Sequence, residues 1–183
     1  MSHYVLDKSA SRFTVRAYAS GMLSVLGHNP TIAIRDFSGE ALLDPAAPEK
    51  ATLRIEIRAN SLEVTDDIKS KDRQEMESTM NEKVLETAKY PTIAFECAGV
   101  SATQLNEGRF QVTMNGTLSL HGETGKVPVT AQVTLMGDNL RASGEFSLRQ
   151  SDYAIQLVSV AGGTLKLKDD LKFSFDIVAR KQD

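Results

Sequence analysis

Apolar side chains fall on every second position in segment after segment of this chain. From Phe110 they run Phe110, Val112, Met114, Leu118 and Leu120, with Gln111, Thr113, Asn115, Thr117 and Ser119 between them. From Leu171 they run Leu171, Phe173, Phe175, Ile177 and Ala179, against Lys172, Ser174, Asp176 and Arg180. A period of two belongs to a pleated strand with one dry face and one wet face. Dry faces must be covered, so many such strands have to close on a shared interior. What fills that interior sets what the protein can do.

The same reading along the chain gives a short strand at 4–7 and an alternating one at 12–19, with Phe13, Val15, Ala17 and Ala19 on one face. Segment 20–30 breaks the pattern with Gly21, Gly27, Asn29 and Pro30, while Met22, Leu23, Val25 and Leu26 stay apolar. It reads as a loop or short helical turn dipping inward. A strand at 31–43 carries turn residues Ser38 and Gly39, which predict a bend there. Segment 50–64 alternates most clearly, with Leu53, Ile55, Ile57 and Ala59 against Arg54, Glu56 and Arg58. Then the period changes. Ile68, Met76, Met80 and Val84 share one helical face, which predicts a helix over 66–88. Thr65 is placed to cap it, Asp66 and Asp67 suit the positive end of its dipole, and Asp67 and Lys71 have the i,i+4 spacing. Pro91 stops it.

Strands are expected next at 92–100, 109–121, 126–135, 140–148 and 171–181, with Gly108, Gly122 and Gly137 in the turns. Short links of this kind join antiparallel neighbours. A weaker segment surrounds Leu165 and Leu167. No repeat and no shift in composition divides residues 1–183, so the chain reads as a single all-β domain. An antiparallel up-and-down barrel of about eight strands, with one helix packed across it, fits this pattern, and so does a sandwich.

At 183 residues the chain can bury a substantial core, and its 41% hydrophobic and 25% charged residues suit a soluble globular protein. The net charge of -3 offers no basic surface for nucleic acid. Seven acids against four bases lie between 66 and 88, as on a solvated helix face. No stretch is long and apolar enough for an integral membrane segment, and 1–13 holds no apolar run of signal-peptide length. The expected location is cytoplasmic, or periplasmic or secreted if an export signal has been removed. The lone Cys97 excludes an internal disulfide and, beside Ile93 and Phe95, reads as a small buried hydrophobe.

Catalytic patterns are missing. His3, His28 and His121 have no ligand-spaced partners, so no metal site and no cofactor is expected. No nucleophile elbow and no phosphate-binding glycine loop occurs. His121 sits at a hairpin end on a wet face and reads as structural. The interior itself is open to two readings. Ala17, Ala19, Gly99, Gly116, Ala131, Ala142 and Gly144 interleave with larger inward residues. Strand glycines mark barrel bends, yet small residues also leave room for a ligand in an eight-stranded barrel.

If the interior is hollow, its lining is nearly uncharged and its guest is apolar. Burial is worth about 0.8 kcal/mol per methylene, so roughly 3–4 kcal/mol gross per isoprene unit. The candidate ligand-binding residues are Phe13, Val15, Leu53, Ile55, Ile57, Phe95, Val112, Met114, Leu118, Val133, Phe146, Phe173 and Phe175. Leu23, Leu26 and His28 would lie near an opening. Met76 and Met80 would serve as a deformable gate or as ordinary helix packing.

Four stretches carry a resemblance. Lys89-Tyr90-Pro91-Thr92-Ile93-Ala94-Phe95 closes the charged helix. Gly116-Thr117-Leu118-Ser119-Leu120-His121-Gly122 leads into Glu123-Thr124-Gly125-Lys126-Val127-Pro128-Val129. Tyr4-Val5-Leu6-Asp7 precedes Ser11-Arg12-Phe13-Thr14-Val15, and Ser61-Leu62-Glu63-Val64-Thr65 precedes the helix. Together they resemble the YceI-like family of polyisoprenoid-binding proteins. The resemblance implies a lipocalin-like antiparallel barrel with a helix across it, holding an isoprenoid or similar amphiphile, with Phe95, Val112, Met114 and Leu118 facing the pore. Tyr153-Ala154-Ile155 stands where the family usually has Phe-Gly-Ile, the aromatic or His often found early in the family is Tyr18 here, and there is no Trp. The expectation is non-enzymatic binding, storage or transport of a long-chain isoprenoid-type lipid. The alternatives are an enzyme acting on an apolar substrate in the same pore, and a solid-cored interaction protein, a possible homodimer through a strand edge or helix face, with the edges near Leu165 and Leu167 the first place to look for subunit contacts.

Overall fold

The alternating segments form antiparallel strands, and the computed structural model describes residues 1–20, 29–160 and 165–182. The first half of the chain gives β1 (Ser2–Leu6), β2 (Arg12–Arg16), β3 (Ala19–Ser20), β4 (Thr31–Ile34), β5 (Phe37–Leu43), β6 (Thr52–Arg58), β7 (Leu62–Val64) and α1 (Ser70–Thr79). The second gives β8 (Thr92–Ala98), β9 (Ser101–Asn106), β10 (Arg109–Leu120), β11 (Glu123–Met136), β12 (Asn139–Arg149), β13 (Ser159–Val160), β14 (Leu165–Leu167) and β15 (Asp170–Gln182).

Strands β1, β5, β6, β8, β10, β11, β12 and β15 are neighbours in that order, and β15 pairs back onto β1. The ring is closed, so the fold is an eight-stranded antiparallel barrel and not a sandwich. Closure leaves the eight strands of the ring without a free edge among themselves. β15 is long enough to serve two partners: Ala179 to Gln182 pair with β1, and Lys172 to Asp176 pair with β2. β4 and β7 continue the wall beyond β2. One end of the barrel therefore carries β2, β4, β7 and α1, and the other carries β1 and the start of β10.

Two segments expected as single strands are each broken in two, at the same height. Segment 31–43 bends at Arg35 and Asp36, not at Ser38 and Gly39, and segment 50–64 is interrupted by a helical turn at Ala59–Ser61. The breaks satisfy each other. The Arg35 N–H donates to Ser61 O, the Arg58 N–H donates to Asp36 O, and the Asp36 N–H donates to the Ser61 hydroxyl. Gly39 serves a close approach instead of a bend, since a Cβ there would sit 2.9 Å from Arg54 O on β6. The strand expected at 12–19 ends at Arg16, and Ala19 and Ser20 cross to a separate three-stranded sheet with β14 and β13. β14 is the middle strand of that sheet, so the edges expected near Leu165 and Leu167 are paired within the chain.

The helix is shorter than its pattern. α1 spans Ser70–Thr79 and runs on as a single π turn, Met80–Val84, in which the Leu85 N–H donates to Met80 O. Thr65 and Asp66 do not cap it. The Thr65 hydroxyl donates to Thr31 O and the Asp66 carboxylate accepts from the Thr31 N–H, so both hold the edge of β4 instead. Asp67 precedes the helix and lacks the helical spacing to Lys71. At the far end Glu86 has φ +46°, which turns the chain out of the helix before Pro91.

Candidate functional site: an apolar cavity under a latched helix

Inward residues of the barrel wall surround a cavity of about 670 Å³ at the α1 end. Sites for small molecules occupy about 300–1,000 Å³. The hollow reading of the interior is the one the structure takes. Phe13 and Val15 reach the cavity from β2, Leu53, Ile55 and Ile57 from β6, Phe95 from β8, and Met114 and Leu118 from β10. Val133 comes from β11, Phe146 from β12, and Phe173 and Phe175 from β15. Strand register brings them together: Ile55 lies opposite Phe95, Phe95 opposite Leu118, Phe146 opposite Phe173, and Phe173 opposite Val15. Met80, buried, and Met76, half-buried, close the helix side.

Val112 does not reach the cavity. It is buried two positions below Met114 on β10, in one apolar cluster with Tyr4, Leu140 and Ala179, none of which borders the space. Leu23, Leu26 and His28 lie outside the described residues.

Aromatic rings shape the wall. Phe37 meets Phe13 edge-on at 4.7 Å, Phe13 meets Phe173 at 5.7 Å, and Phe173 meets Phe146 at 4.8 Å. Such contacts add about 0.5–1.5 kcal/mol each beyond burial. Two of the inward glycines leave no room at all. The Phe95 ring lies over Gly116, where a Cβ would fall 2.0 Å from its Cζ, and the Phe175 ring lies over Gly144 at 2.8 Å. The space comes from alanines: Ala17, Ala19, Ala131 and Ala142 all border it. Gly99 sits in a turn with φ +79° and is not part of the wall.

Polar groups collect at the border of the cavity, not in its depth. Asp72, Glu75 and Thr79 come from α1, Lys166 from β14 and Gln150 from the helical turn that follows β12. Asp72, Glu75 and Lys166 are exposed, and Gln150 is buried, with its side-chain amide donating to Lys168 O at 3.0 Å. Sequence periodicity gave no sign of these five. Pro30, Ile32 and Val64 were missed as well, since β4 and β7 are too short to show alternation.

The helix is held over the opening by named bonds. Glu77 accepts from the Val64 N–H at 2.9 Å, occupying the edge that a further strand would have paired. Arg73 Nη2 donates to Asp66 O at 2.8 Å. His121 anchors the chain after the π turn, and its expected place on a wet face is incorrect. Its side chain is 8% exposed, with Nδ1 3.0 Å from Tyr153 O, Nε2 2.6 Å from Glu86 Oε2, and the Tyr90 ring 4.7 Å away. Both ring nitrogens face acceptors, so both bonds form when each carries hydrogen. His121 and Gly122 have φ +53° and +78°, the pairing of a tight hairpin turn, which swings the imidazole under the helix end.

Among the described residues no group of three or more His, Cys, Asp or Glu side chains is placed to hold a metal. Cys97 is buried, its thiol donates to Gly99 O, and burial pushes that thiol up. What the arrangement offers is an apolar container with a polar rim.

Known proteins resemble this chain in sequence and in fold. A UPF0312 protein of Azotobacter vinelandii is 29% identical over 160 residues, covering 84% of this chain and 76% of that protein. One of Pseudomonas savastanoi is 28% identical over 97% of this chain and 87% of its own length. Among solved structures, BcnA of Burkholderia cenocepacia superposes with a TM-score of 0.72 at 16% identity, over 94% of this chain and 98% of that one. A polyisoprenoid binding domain from Saccharophagus degradans superposes with a TM-score of 0.71 at 17% identity, over 98% of both chains. The family description that fits the sequence is the YceI-like domain, matched over residues 4–179, nearly all of the barrel just described; the chain belongs to the YceI-like family.

Proposed function

We propose that the protein binds and stores or carries a long-chain isoprenoid-type lipid, or a similar amphiphile, without chemical change. The observation that carries this reading is the division of the cavity into an apolar depth and a polar rim. An amphiphile has the same division. Each isoprene unit placed among the Phe, Leu and Ile side chains gains roughly 3–4 kcal/mol gross, and ordering a flexible tail takes much of that back. The Saccharophagus degradans domain is described as polyisoprenoid-binding, which supports the same ligand class here.

An enzyme would need titratable groups converging on one point inside the cavity. The charged groups at its border, Asp72, Glu75 and Lys166, are all exposed. The test is native mass spectrometry of the purified protein, followed by organic extraction of what is bound. The expected result is one long-chain amphiphile per subunit. A protein that emerges empty and takes up no added isoprenoid overturns the reading.

A further inference from the structure

The barrel wall has a breach between β8 and β10. β8 pairs with β10 only from Ala94 to Glu96, opposite Ser119 to Thr117. Further along β10 its partner is β9, with Ser101 opposite Thr113 and Ala102 opposite Val112. Among the described residues, Met114, Asn115 and Gly116 have no strand partner on this side. The chain that would cover them, Cys97 to Val100, is drawn away from β10. Gly99 has φ +79°, its N–H donates to Ala51 O at 2.7 Å, and the Val100 N–H donates to Pro48 O at 3.4 Å. The Cys97 thiol turns back to Gly99 O. Continuous ladders hold a barrel shut. Here one ladder lapses.

Side chains close the breach. Met114 is half-buried and borders the cavity on its inner side. It also borders an outer groove whose other residues include Glu49, Ser101, Asn115 and Pro128, all exposed. Leu53 likewise borders both the cavity and a second outer groove, beside Cys97 and Asn115. Gly116 supplies no side chain, and the Phe95 ring fills its place. Methionine is unbranched with three rotatable bonds, so Met114 can swing without moving the backbone. Swinging it breaks no ladder bond. Lifting α1 from the mouth breaks the bonds of Glu77 to the Val64 N–H and of Arg73 to Asp66 O. Resting on the container reading above, we infer that the breach between β8 and β10 is a side entrance to the cavity, with Met114 as its door. An apolar chain enters and leaves through the wall while α1 stays latched.

The experiment follows uptake and release of cis-parinaric acid, a linear fluorescent lipid, by stopped flow. Met114→Ala should speed both association and dissociation, each by about fivefold. Met114→Leu, similar in volume but stiffer, should slow both. Glu77→Ala, which loosens the α1 latch, should leave the association rate where it is. Cys97, the chain's only thiol, stands at the edge of the breach. Its modification by a small disulfide reagent should quicken in Met114→Ala and slow when the probe is bound, with melting curves confirming that the variant is folded. Faster dissociation without faster association makes Met114 a lining contact and overturns the door. Unchanged rates in both Met114 variants, or association that quickens in Glu77→Ala alone, overturn it too and leave the container in place. An unaltered protein that takes up no probe overturns both.

Discussion

Ala154 and His121 show how one backbone conformation serves two purposes. Both have φ +53°. Ala154 is exposed and ends the short helical turn Gln150–Tyr153 in the left-handed region. A left-handed L-residue costs about 1–2 kcal/mol, and glycine returns about 0.4–1 kcal/mol of that through the greater freedom of its unfolded chain. Ala154→Gly should therefore stabilise the protein by about 0.5–1 kcal/mol, raising Tm by about 1–4 °C for a chain of this size. His121→Gly should do the opposite. It relieves the same strain but strips the Glu86 carboxylate and Tyr153 O of their partner, a loss of about 1–3 kcal/mol. Thermal melts of the two variants should shift in opposite directions. A common direction would mean that the backbone angle, and not the imidazole, governs His121.

At the scale of elements, the closing seam between β1 and β15 depends on a carboxylate. Asp7 follows β1, accepts from the Ser9 hydroxyl at 2.6 Å and from Arg180 on β15 at 2.8 Å, and caps a helical turn through the Ser9 and Ala10 N–H groups. The Ser9 hydroxyl, then Arg180, holds its pKa at about 2, below the ordinary 3.8. A carboxyl lowered in the fold binds its proton more weakly folded than unfolded, so its contribution is full above about pH 4 and fades as pH falls towards 2. Asp7→Asn should lower the urea midpoint at pH 6, and the gap to the unaltered protein should narrow between pH 4 and 2. Parallel profiles would show that the seam does not depend on this charge. The seam was only half legible in the sequence. Long alternating runs announced β10, β11, β12 and β15, because each has one face on the interior. β9 was not announced: its residues are nearly all exposed, so nothing imposes alternation on them. The paired breaks at Arg35–Asp36 and Ala59–Ser61 were hidden for another reason. Each is satisfied by the other across the sheet, not by a local turn sequence.

At the scale of the whole molecule, the sequence showed which face of each strand is dry but not how much of the interior is empty. Gly116 and Gly144 looked like vacant positions, yet neighbouring rings cover both. Which ring reaches which glycine depends on cross-strand register, and periodicity within one strand does not contain it. The cavity has a measurable consequence. An apolar cavity of about 670 Å³ offers a ligand a continuous set of contacts, so a ligand that fills it binds the folded state and has nothing comparable to grip in the unfolded one. At a free concentration 100 times its Kd such a ligand stabilises the fold by about 2.7 kcal/mol, which for a chain of this size is about 5–11 °C in Tm. Geranylgeraniol, an alcohol with a tail of about four isoprene units, should produce this shift, and the shift should keep rising with the logarithm of its concentration. A five-carbon alcohol with the same head should produce almost none at equal concentration, because the gain comes from the buried tail. Scanning calorimetry with both alcohols separates the possibilities: equal shifts would place the binding energy in the head group and the rim, and the hollow interior would then have no part in ligand binding.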